Sequence, residues 1–163
     1  MEIENIWGKI LALSKDQIVP ALLEDAKKFG VENTHDARAS IEDGAVLMLI
    51  WAADYAARKR GQKSIADELI NKLAIHGLYM ERLSKQLSAI PPPYPPNLAK
   101  VLYKELSHTL ERTLLVRNQI GFAFFQNAVG EVGFLQKLKY SSRGKKYKEV
   151  IQSSIRILEE AFS

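Results

Sequence analysis

The sequence predicts an all-α protein, an up-and-down bundle of four main helices with smaller helices at its ends. Three observations carry that prediction. Apolar residues recur at steps of three and four over most of the chain. No stretch alternates apolar and polar residues as a half-buried strand would, and no hairpin signal or internal repeat is present. The connections between the long periodic stretches are short, which favours antiparallel neighbours. At 163 residues and 47% apolar content the chain suits one domain, 1–163.

Each element follows from local pattern. Ile3, Ile6, Trp7, Ile10, Leu11 and Leu13 have helical spacing and predict a short first helix. Ser14 and Gln17 have the spacing of a capping box, Pro20 suits the start of a second helix, and Gly30 stops it. Asn33 or Thr34 caps a long third helix ending at Gly61. Its core, "GAVLMLIWAA", is apolar all round and therefore central and buried.

Ser64 and Asp67 open a fourth helix whose seam is Ile65, Leu69, Leu73, His76, Met80, Leu83, Leu87 and Ile90. "PPPYPP", residues 91–96, cannot continue a helix. It reads as a stiff connector, although proline-rich strings also suit aromatic-lined grooves. A fifth helix is expected from Asn97 to about Gln126, a short segment over 131–139, and a last helix over 145–162 with Ile151, Ile155, Leu158 and Phe162 in one stripe.

Composition narrows the function. The chain has no cysteine, which removes disulfides, thiolate metal sites and cysteine nucleophiles. No apolar run approaches the roughly 18 to 20 residues that cross a bilayer, and "MEIENIWGK" is acidic where a secretory signal is basic. A cytoplasmic protein with no membrane contact is expected. The net charge of +4 is unevenly placed. Lys137, Lys139, Arg143, Lys145, Lys146 and Lys148 fall in one acid-free stretch, and "RKRGQK" adds Arg58, Lys59, Arg60 and Lys63. Those ten of the 23 bases leave 13 against 19 acids, so the rest of the chain is net negative. Such local basic density, with Tyr140 and Tyr147 interleaved, suits phosphate contact and base stacking. It equally suits a solvated inter-helix loop.

The stretch "LLVRNQIGFAFF" sets Arg117 and Asn118 among apolar residues. On a continuous fifth helix, Tyr103, Leu106, Leu110, Leu114, Gly121 and Phe125 form the apolar face. Arg117 then falls about 40° to one side of its centre and Asn118 about 60° to the other. An arginine facing a bundle interior requires a partner. Asp54, on the otherwise apolar third helix, is the expected one. In the functional version of this arrangement, the pair and His76 line a polar cleft that receives a phosphate or carboxylate.

"VRNQIGF" resembles the arginine-asparagine end of the R-N-x-x-x-H signature of HEPN domains, helical bundles that are often ribonucleases or partners of nucleotidyltransferases. Arg117 and Asn118 match, Phe122 occupies the histidine position, and no histidine follows His108. The resemblance implies RNA binding, with the histidine that would support cleavage replaced.

Other chemistry has little support. "ENTH" and "ELSH" place Glu32 before His35 and Glu105 before His108 at a di-iron spacing. The first lies at a helix entrance, however, and the second points away from the apolar face. No metal and no cofactor are expected, and no glycine-rich nucleotide loop or nucleophile elbow occurs. The sequence therefore favours a non-enzymatic helical protein that binds RNA or DNA, or a small subunit of a nucleoprotein assembly with protein partners. Its phosphate contacts would be the basic residues at 137–148 and 58–60. The alternative is a diverged HEPN-like ribonuclease or ligand-binding bundle with an internal polar site at Arg117, Asn118, Asp54 and His76. A third reading is a homo-oligomer joined through an exposed aromatic patch of Trp7, Phe122, Phe124 and Phe134.

Overall fold

The computed structural model describes residues 3–31, 35–75, 98–129 and 143–162, and every regular element in them is helical. The helices are α1 (Ile3–Leu13), α2 (Val19–Lys28), α3 (His35–Lys59), α4 (Ala66–Ile75), α5 (Leu98–Thr113), α6 (Gln119–Val129) and α7 (Gly144–Glu159). A π turn, Ser14–Ile18, joins α1 to α2, and a 3-10 turn, Glu160–Phe162, follows α7. The all-α bundle predicted from periodicity is what forms.

α3 is the axis of the bundle. Every residue from Asp43 to Asp54 is buried, and α1, α2, α4, α5, α6 and α7 all pack on it. Its apolar residues face neighbours on all sides, so each fully buried Leu, Ile or Met adds about 1.5–3 kcal/mol of transfer free energy. Small residues admit the neighbours closely. A Cβ on Gly44 would meet Cα of Ala128 at 3.0 Å, and Ser40 Oγ donates to the Ala128 carbonyl at 3.2 Å.

Two expected boundaries differ. The backbone stays helical from α1 into α2, with the Val19 N–H donating to the carbonyl of Ser14, five residues back. Ser14 is 5% exposed and its side chain makes no cap, so the expected capping box is a π turn instead. The extra residue in that turn lets Pro20 enter α2 near its start, where a missing N–H costs least. The expected fifth helix is two helices, α5 and α6, with a turn over residues 114–118. Tyr103, Leu106, Leu110, Gly121 and Phe125 are nonetheless buried, so the predicted face survives in both halves.

The helix stops fall at Gly30 and Gly61, with φ of 77° and 74°. Beyond each, an N–H reaches back five residues, Val31 to Ala26 at 3.0 Å and Gln62 to Ala57 at 3.0 Å. Ile65, Leu69 and Leu73 are buried as the α4 seam requires, and so are Ile151, Ile155 and Leu158 on α7. The Asn33 or Thr34 cap, His76 and the later seam positions, the proline connector 91–96 and the 131–139 segment lie outside the described residues. Of the expected aromatic patch, Trp7 and Phe124 are buried in the core, at 3% and 0% exposure, and Phe122 is half-buried. Phe134 lies outside the described residues.

Candidate functional site

Cations converge where the last turn of α2 meets the first turn of α7. Ile18, Leu22, Asp25 and Phe29 share one face of the α2 region, and that face is pressed into the core. Asp25 is thereby removed from water at 0% exposure. Three groups from the start of α7 and the residue before it answer it. Lys146 Nζ donates to Oδ2 at 2.7 Å, Tyr147 OH to the same oxygen at 2.6 Å, and Arg143 Nε stands 3.7 Å from Oδ1. From its own helix, Lys28 Nζ lies 4.0 Å from Oδ1.

Burial alone would raise the Asp25 pKa. Hydrogen bonds from Lys146 and Tyr147, with the charges of Lys146 and Arg143, outweigh it and hold the carboxyl below the ordinary range. Burial and the neighbouring carboxylate push the Tyr147 phenol up, so it remains a donor. The floor beneath is aromatic. Phe125 stacks on Tyr147 at 4.9 Å and meets Phe29 edge-on at 5.7 Å, while the Arg143 guanidinium lies 5.6 Å over the Phe29 ring.

Glu24 shares Lys28, at 3.4 Å, so two carboxylates face the three cations Lys28, Arg143 and Lys146. Lys28, Arg143, Lys145, Lys146 and Lys148 stand on these two helix ends against Asp25, Glu24 and Glu149, so an excess of positive charge remains. Lys145 is exposed and Lys148 half-buried, and neither makes an ion pair among the described residues. Lys137 and Lys139 lie outside the described residues.

No family model, curated protein or solved structure matches the chain.

The second expected basic group behaves differently. Arg58 Nε binds Asp54 at 2.9 Å and its Nη2 binds Glu111 at 2.5 Å. Lys59 and Arg60 both reach Glu159, at 3.8 and 3.4 Å. Three acids thus meet three cations. Glu159 also closes the far end of α7, about 20 Å along the helix from Lys146. Arg58, Lys59 and Arg60 therefore do not join the α2–α7 cluster, because the helix that carries one group at its start spends its end neutralising the other.

Among the described residues, the expected internal polar site is not assembled. Arg117 and Asn118 are exposed in the α5–α6 turn, and Arg117 has a φ of 41°. Asp54, at 4% exposure, is bound without them. Its Oδ1 accepts from Ser64 Oγ at 2.7 Å, the Ile65 N–H at 2.8 Å and the Ala66 N–H at 3.2 Å, which caps α4 from a neighbouring helix. Its Oδ2 takes Arg58, so the expected Asp54–Arg117 pair is an Asp54–Arg58 pair. The turn that ends α5 is the reason, since it carries Arg117 out of the face assigned to it. His76 lies outside the described residues. Glu105 and His108 are exposed, and no group of three metal-ligating side chains occurs among the described residues. Among them, too, no helix is long and apolar enough to cross a membrane.

Asp25 and Lys28 were missed by sequence reasoning. The signal was present for Asp25, an acid in register with Ile18, Leu22 and Phe29. For Lys28 it was not, since only the packing of α2 on α7 brings it to the cluster.

Proposed function

We propose that the protein binds nucleic acid, as a non-enzymatic subunit of a nucleoprotein assembly, through the cation cluster at the α2–α7 junction. The observation that carries this reading is the buried Asp25, which draws Lys28, Arg143 and Lys146 from two helices to one point and leaves a positive excess. The first turn of α7 carries Lys145 and Lys146 and no acid, opposite to what the positive end of a helix dipole favours. Lys146 is answered by Asp25, whereas Lys145 pairs with no acid among the described residues and is left to meet a phosphate. The contacts are to phosphates, so RNA and DNA single strands bind alike, through Lys145, Lys148 and the exposed faces of Lys28 and Lys146.

The test is the salt dependence of binding to a labelled single strand. Affinity falls steeply with salt, and Lys145→Gln with Lys148→Gln lowers the slope by about 1.4, the value for two lost phosphate contacts. Undetectable binding at low salt, or a slope unchanged by the double substitution, ends this reading.

A further inference from the structure

The α5–α6 turn carries two costs that no contact among the described residues offsets. Leu115 is 93% exposed and Val116 44% exposed. Arg117 holds a φ of 41°, a conformation that costs a side chain about 1 kcal/mol or more. The turn is nevertheless firmly built. The Val116 N–H donates to Thr113 at 3.1 Å and the Gln119 N–H to Val116 at 2.9 Å. Asn118 is backed by α7, where a Cβ on Gly144 would sit 2.7 Å from the Asn118 carbonyl oxygen. A leucine is thus presented to solvent on a rigid base, already ordered for a partner.

A complement lies on the same molecule. Between α2 and α3 is a cleft of about 220 Å³ whose apolar lining includes Leu23, Ala26, Val31, Ala37 and Ile41. An apolar cavity of about 150 Å³ holds benzene, so this one has room for a leucine side chain. Glu24 and Lys27 also line it. Among the described residues Glu24 is exposed and pairs with Lys28 alone, at 3.4 Å on the same helix, so its carboxylate can take a second cation. Arg117, two residues after Leu115, supplies that cation.

We infer that the chain associates head to tail, Leu115 of one copy seating in the α2–α3 cleft of the next with Arg117 against Glu24. Knob and cleft are different surfaces of one chain, so the contact is heterologous and can propagate. It needs no nucleic acid and none of Lys145, Lys146 and Lys148, although Glu24 sits at the rim of the α2–α7 cluster. One knob buries far less than the roughly 1,000 Å² of a stable interface, so the association is weak and shows only at high concentration.

Sedimentation velocity on the full chain, nuclease-treated, from about 10 µM to about 1 mM spans the range in which such contacts form. The mean sedimentation coefficient rises with concentration and keeps rising at high salt, as an apolar contact requires. Leu115→Ser, at an exposed site that leaves the fold intact, weakens association at least tenfold. Ala37→Leu, which fills the cleft, does the same. Mixing the two variants yields dimers and nothing larger, because only one knob and one cleft remain usable per pair. A sedimentation coefficient that stays flat to the highest concentration overturns the inference. So does association that either variant leaves unchanged, or a mixture that fails to form dimers. None of these results bears on salt-dependent binding to a labelled strand, so the two proposals fail separately.

Discussion

Asp25 shows what a buried carboxylate demands. Removed from water, it is stable only because Lys146 and Tyr147 donate to Oδ2 and Arg143 faces Oδ1. Asp25→Asn strands those partners and costs about 3 kcal/mol in urea unfolding. Tyr147→Phe removes one donor, to Asp25 and to the Ala21 carbonyl at 3.2 Å, and costs about 1–2 kcal/mol. The pH dependence has a definite sign. The folded-state pKa of Asp25 lies below its ordinary 3.8, so its contribution is present in full above the unfolded value and is lost as pH falls through the folded one. Thermal unfolding followed from pH 7 to below pH 3 therefore shows an acid-side loss that Asp25→Asn lacks. Equal acid-side loss in both proteins would remove Asp25 as its source. The sequence marked Asp25 and Asp54 in the same way, each an acid on an apolar face. It could not say which cation answers Asp25, since Lys146 is 121 residues away, whereas Arg58 stands four residues after Asp54 and was the simpler partner all along.

At the scale of elements, the break between α5 and α6 decides more than any other boundary. The stretch 114–118 has neither glycine nor proline, and its apolar spacing continues across the break, so periodicity alone predicted one helix. The available signal was Asn118, a favoured cap residue whose carbonyl accepts the first bond of α6, from Phe122 at 3.2 Å. The two descriptions make opposite predictions for Arg117→Gly. In a helix interior glycine costs about 1 kcal/mol. At a φ of 41° it relieves strain, and the variant gains up to about 1 kcal/mol in urea unfolding. The break also lets α6 lie against α7. A Cβ on Gly121 would overlap the Gly144 carbonyl oxygen and the Lys148 amide nitrogen, both backbone atoms that cannot step aside. Gly121→Ala therefore forces the two helices apart, at a cost of about 3 kcal/mol or more in the same measurement. Sequence periodicity exposed the faces of α4 and α7 because burial repeats with the helical period, and an unbroken apolar run marked α3 as central. It was blind to backbone contacts such as Gly121 on Gly144, which leave no apolar pattern behind.

At the scale of the whole molecule, the two basic groups foreseen in the sequence part company. Charge density along the chain counted both as sites, but folding brings Glu111 and Glu159 to Arg58, Lys59 and Arg60, whereas among the described residues the ion pairs of the α7 cations all go to Asp25. Stability and binding should then respond in opposite ways. Lys59→Gln with Arg60→Gln removes two partly exposed ion pairs, costs at most about 1 kcal/mol each, and leaves affinity for a single strand unchanged. Lys145→Gln removes a cation from the positive end of a helix, so it stabilises the protein by a few tenths of a kcal/mol, about 0.3–0.5, while weakening that binding. Urea unfolding and strand binding measured on the same four-member set, wild type, each of these two variants and their combination, separate the cases. A Lys145 that proves stabilising where it stands, or strand affinity that follows residues 59 and 60, would mean that the α2–α7 cations serve the fold alone. The gain in stability is read together with the loss of binding, because a stabilising surface substitution such as Lys145→Gln is common and only its coupling to weaker strand binding separates a binding cation from a neutral one.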